Sequence, residues 1–177
     1  YENQRNYPRA IEEYVKGSLT APESSAELHL LQLSRRPKFR DAIDHSTAKL
    51  ATLPNPQMSG VYLRVKVLEA QNRKPEIESL LDSIATTTTS IEQAEEIETL
   101  AQQKSLETVR QHAIEKQAAL TTDPVTRLQL RYTLIRLYES RKDFSEAQKN
   151  VEVLYRENPK ILGVIRSTVD FYWRMKM

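Results

Sequence analysis

The sequence predicts an all-α fold, an α-solenoid of antiparallel helix pairs, on three observations. Glycine is scarce, at three of 177 residues, and prolines number eight, a composition that favours helices over a turn-rich β fold. Apolar residues recur at intervals of three and four, which places them on one face of a helix. The same set of intervals then returns along the chain with a period of about 34 residues, two helices to a unit.

Taken in order, the chain opens on a stub of a first helix, followed by a helix near residues 8–20. Tyr7, Ala10, Tyr14 and Gly17 line one face of it, and Pro22 closes it. A helix near 24–35 comes next. In the one after, near 38–52, Phe39, Ala42, Ser46, Lys49 and Pro54 repeat the first frame position for position. Helices near 58–72 and 75–86 hold a weaker copy, framed by Leu68, Lys74, Ile77, Leu81 and Ile84. Ser90, with acidic residues just behind it, is the N-cap of a helix near 90–103. The helix near 105–120 completes a second weak copy, framed by Leu100, Leu106, Val109 and Ala113. Asp123 and Pro124 supply a cap and an N1 proline for a helix near 125–140. The third strong copy lies near 144–157, with Phe144, Ala147, Val151, Leu154 and Pro159, and a last helix spans 161–175.

Each strong copy has alanine three residues after its aromatic and a bulky residue six before it: Tyr1, Leu33 and Tyr138. Ala10, Ala42 and Ala147 are therefore expected at close helix contacts. The connections are short, which makes neighbouring helices antiparallel. The turns inside the pairs are basic ("QRNYP", "SRRPKF", "NRKPE", "SRKDF"), which suits the negative end of the first helix's dipole. "ATTTTS", from Ala85 to Ser90, reads as a loop, because β-branched threonines are poor helix formers.

These residues resemble the tetratricopeptide repeat (TPR) family. Its pattern asks for a bulky residue late in the first helix and another opening the second. It then asks for a small, a large, another small residue and a closing proline, and "YPRAIEEYVKGSLTAP" and "DFSEAQKNVEVLYRENP" supply most of these. The early tryptophan and the Leu-Gly pair of the consensus are missing, with Leu134-Ile135 in the place of the pair. The stretch Leu80 to Ser90 lacks its proline. The resemblance implies a right-handed α-solenoid with units near 1–22, 23–56, 57–89, 90–123 and 124–160, and an unpaired first helix at 161–177. It also implies that first helices line a concave face. In that frame Tyr62, Lys66 and Glu69 point into the groove from one unit, Tyr132, Arg136 and Glu139 from another, and Arg166, Asp170 and Trp173 from the last helix. Tyrosine, tryptophan and arginine are favoured interface anchors. The carboxylate clamp of some TPR domains does not carry over, because Glu27, Leu31, Tyr62 and Lys66 stand where its lysines and asparagines would be.

Little in the chain suggests chemistry. There is no cysteine, the three histidines (His29, His45, His112) sit in different units, and no H-E-x-x-H or G-x-S-x-G occurs. His29 and His45 fall on or beside core faces. Gly17, Gly60 and Gly163 are too scattered to cradle a phosphate. A net charge of +2 argues against nucleic acid, and no apolar run reaches the roughly 20 residues of a membrane span. The expectation is a protein–protein interaction scaffold that is not an enzyme and has no cofactor or metal, with a partner peptide or helix in its groove. The alternatives are a structural or regulatory arm of a larger enzyme or assembly protein and, less favoured, an RNA-binding repeat. Both ends read as cut from a longer array. The aromatic-rich "VDFYWRMKM" and the Tyr1 end are expected to promote self-association.

Overall fold

A computed structural model of the chain describes residues 7–51 and 56–175. Tyr1, Pro54 and Met177, which belong to the repeat frame and the chain ends, lie outside them. The described residues form ten α-helices and no strand. In order these are α1 (Tyr7–Thr20), α2 (Ser25–Ser34), α3 (Pro37–Ala48), α4 (Met58–Ala70), α5 (Lys74–Thr87), α6 (Ile91–Gln103), α7 (Glu107–Leu120), α8 (Pro124–Ser140), α9 (Phe144–Glu157) and α10 (Leu162–Met175). The chain divides into two compact units, Tyr1–Thr89 and Ser90–Met177.

In the first unit α1 packs against α2 and α3, and α2 against α3 and α4. Ile11, Leu30, Ile43, Leu63 and Val67 centre its core. The rings of Tyr7 and Phe39, which head two copies of the frame, lie 5.1 Å apart. Gly17 lets α1 and α2 approach closely: a Cβ there would come within 2.9 Å of the Ala26 Cβ. Helix α3 departs from its expected face. Phe39, Ile43 and Thr47 are buried, whereas Lys49 is exposed in a 3-10 turn, Lys49–Ala51, and Ala42 and Ser46 are only half-buried. Thr47 can be buried because its hydroxyl donates to the Ile43 carbonyl at 2.8 Å, whereas an ammonium needs water or a counter-ion. His45 is exposed too, against expectation, and His29 stacks on Tyr14 with centroids 4.8 Å apart.

In the second unit α6 packs along α7, α7 against α8, and α9 against both α8 and α10. Leu134, Tyr138, Ala147, Val151, Leu154 and Phe171 form the middle of its core. Ala147 is fully buried, as the sequence frame requires of the small position. The caps at Ser90 and Asp123 form as expected: Ser90 Oγ accepts from the Gln93 N–H at 3.1 Å and Asp123 from the Thr126 N–H at 2.8 Å.

One turn occurs three times. Asn72, Ser105 and Lys142 each adopt a left-handed backbone, with φ of 58°, 55° and 61°. In each case the next residue's N–H reaches back to a buried residue's carbonyl: Arg73 to Leu68, Leu106 to Ala101 and Asp143 to Tyr138, all at 2.9 Å. This is the usual way a left-handed residue closes a helix and satisfies its last carbonyls. Aligned on this turn, the α7 counterparts of Leu81 and Val151 and of Ile84 and Leu154 are Ile114 and Gln117. The frame drawn through Leu106, Val109 and Ala113 therefore runs one residue early there, although Val109 and Ala113 are also buried. Helix α8 has 17 residues where α4 and α6 have 13, an extra turn that accounts for the wider spacing before Lys142.

The threonine stretch is less of a loop than expected. Helix α5 runs through Thr87, leaving Thr88, Thr89 and Ser90 between helices. The hydroxyls of Thr86 and Thr87 donate back to the carbonyls of Asp82 and Ser83 at 2.9 and 2.7 Å, and Ala85 is fully buried, so packing overrides propensity.

Candidate functional site

Two cross-links join α8 to α10. Tyr132 Oη lies 3.0 Å from Ser167 Oγ, and Arg174 Nη2 donates to Glu139 Oε1 at 2.7 Å. Going from the first link to the second moves forward along both helices by the same number of residues, so α8 and α10 run parallel and in register. Val164 and Phe171 anchor α10 from beneath. Amphipathic spacing then sends Arg166, Asp170 and Trp173 to the opposite side. All three are exposed, as is Arg136 on α8, and Trp173 is 84% exposed, the barest large hydrophobic side chain among the described residues. Arg136 and Arg166 have no partner among the described residues. An open cavity of about 500 Å³ lies here, lined by Ser167, Asp170, Trp173 and Arg174. All six residues expected on these two helices are thus joined or exposed here, Tyr132 being joined and half-buried against the core.

The trio on α4 lies in the other unit. Lys66 donates to Glu27 Oε1 at 2.6 Å, and Glu27 is only 5% exposed, so this ammonium serves to join α4 to α2. Glu69 is exposed and Tyr62 half-buried, and both already interact within the protein.

Sequence reasoning missed the polar centre of the first unit. Arg64, 9% exposed, donates from Nη1 to Asp44 Oδ1 at 2.7 Å and to Thr47 Oγ1 at 2.9 Å. Arg73 bridges Asp44 and Glu76. Burial pushes the Asp44 carboxyl up, but the hydrogen bonds and charges of Arg64 and Arg73 outweigh it and hold the group below its ordinary range. Arg64 and Lys66 are the two charges in the otherwise apolar run Val61–Leu68, a signal that was legible in the sequence. Arg73 lies in one of the basic turns assigned to the helix dipole; its work is to pair carboxylates of α3 and α5.

Among the described residues no group of three or more His, Cys, Asp or Glu could hold a metal, and no helix is long and apolar enough to cross a membrane. No protein-family model matches the chain, and no curated protein and no solved structure matches it.

Proposed function

We propose that the chain is a TPR-like, right-handed α-solenoid segment acting as a protein–protein interaction scaffold. It holds a peptide or helix of a partner against its first helices and performs no reaction of its own. The carrying observation is the parallel, cross-linked pair α8–α10, whose outer side presents Arg136, Arg166, Asp170 and Trp173. Three further features support the reading. The Lys66–Glu27 pair joins two first helices of the frame, the Tyr7–Phe39 contact joins two second helices, and the same turn recurs at 72, 105 and 142. Such neighbours are what stacked helix pairs require, since one pair cannot bury its apolar face alone. The affinity would rest on a few anchors, with Trp173 and Arg136 foremost.

The experiment is affinity capture of a partner on the chain, followed by titration of that partner against the double variant Arg136→Ala, Trp173→Ala. Both side chains are exposed, so stability should hold within about 0.5 kcal/mol. Binding should weaken by roughly tenfold or more. Tyr132→Ala is a poorer probe, because this half-buried ring also packs on the core. Equal affinity for the double variant and the parent would reject the α8–α10 face as the site.

A further inference from the structure

The cavity beside α10 has a chemistry of its own. Of its polar groups, Ser167 Oγ is taken up by the Val164 carbonyl and the Tyr132 hydroxyl, at 2.9 and 3.0 Å. The Arg174 guanidinium is taken up by Glu139 at 2.7 Å, with its Nε 3.4 Å from the Asp170 carbonyl oxygen. Among the described residues that line it, the groups left over are the Asp170 carboxylate and the face of the Trp173 ring. They stand three residues apart on one helix, hence side by side. An indole face is the negative end of a quadrupole. Beside a carboxylate it attracts a cation and offers nothing to an anion. A purely apolar guest would strip water from Asp170 without replacing it.

We infer that this cavity receives the cationic side chain of a bound protein segment, an arginine in preference to a lysine; the inference rests on the groove reading above. A guanidinium can lie flat on the indole while hydrogen-bonding Asp170 along its edge, whereas an ammonium is a point charge that does one or the other less well. The surroundings limit the guest further. Arg136 and Arg166 belong to the same face and are exposed, so a segment with several neighbouring cations would be repelled. The favoured guest has one arginine among neutral or acidic residues.

Trp173 is the only tryptophan of the chain, so its indole N–H resonance and its fluorescence report on this cavity alone. The test titrates the whole chain with short capped Gly/Ser peptides that differ in one central residue: arginine, its uncharged isostere citrulline, lysine or glutamate. The arginine peptide should give a saturable Trp173 shift, with the citrulline peptide several-fold weaker. Asp170→Asn, at an exposed position, should weaken the arginine peptide by roughly three- to tenfold without changing the melt. Citrulline equalling arginine, or Asp170→Asn leaving the titration unchanged, would overturn the assignment. A preference for the glutamate peptide would also remove it, yet leave the groove reading standing. Tetramethylammonium chloride binding more tightly than the arginine peptide would give the cavity to a small quaternary cation and overturn a protein guest. If no peptide moves Trp173, the assignment falls, and the partner titration against the double variant Arg136→Ala, Trp173→Ala decides the groove reading separately.

Discussion

Two arginines in each unit are used in opposite ways. In the first, Arg64 and Arg73 are turned inward, pairing with Asp44, Thr47 and Glu76 to join α3, α4 and α5. In the second, Arg136 and Arg166 stand in solvent beside an exposed tryptophan. The cause is how each helix is surrounded. Helix α4 touches α1, α2, α3 and α5, so nearly every side of it is interior and a charge there must be paired. Helix α10 is held by α9 and α8 and keeps a full side open. A charge on the enclosed helix is paired, whereas Arg166 and Asp170 on the open side of α10 stand in solvent.

The largest effect expected from this contrast is at the anchor of the open helix. Phe171 is 1% exposed and holds α10 in place, so Phe171→Ala should cost about 3–5 kcal/mol. Denaturant unfolding followed by Trp173 fluorescence measures it, and a loss under about 1 kcal/mol would mean that α10 is not seated in this core.

Next, Asp44 and Tyr138 should lose their contributions at opposite ends of the pH scale. Asp44 is held below its ordinary pKa, so its contribution is present above the unfolded value of about 4 and is lost as pH falls through the folded value. Tyr138 is the reverse. Its ring is 2% exposed, and burial first, then the hydrogen bond to Glu115, push its hydroxyl above the usual value. That contribution is present below about pH 10 and is lost as pH rises toward the folded pKa. Asp44→Asn should therefore flatten the acid limb of a stability–pH curve, and Tyr138→Phe the alkaline limb. Either variant altering the opposite limb instead would contradict the assignment.

The smallest effects are at two helical glycines. A Cβ on Gly60 would come within 2.8 Å of both the Leu50 Cβ and the Leu50 carbonyl oxygen, so Gly60→Ala should destabilise the first unit by roughly 1–3 kcal/mol. A Cβ on Gly163 meets nothing within 4 Å, and Gly163→Ala should stabilise the second unit by about 0.5–1 kcal/mol. Thermal melts of the two variants test the pair, and equal shifts would show that the enclosed and open sides do not differ as described.

Much of the secondary structure was legible in the sequence because its causes are local. The intervals at Tyr7, Ala10 and Tyr14, the cap at Ser90 and the Asp123–Pro124 opening act within a few residues of themselves. So does the amphipathic pattern of α10, which explains why Arg166, Asp170 and Trp173, assigned to a groove through the repeat frame, are exposed. The tertiary structure decided the rest, because it depends on what each face meets. Nothing near Thr86 and Thr87 announces that α5 continues through them; buried Ala85 and the back-bonded hydroxyls carry it on. Lys66 looked available to a partner, yet Glu27 across on α2 takes it up. Periodicity names the side a residue faces, whereas its freedom to act is set by charges and backbones distant in sequence, which only folding brings within hydrogen-bonding distance.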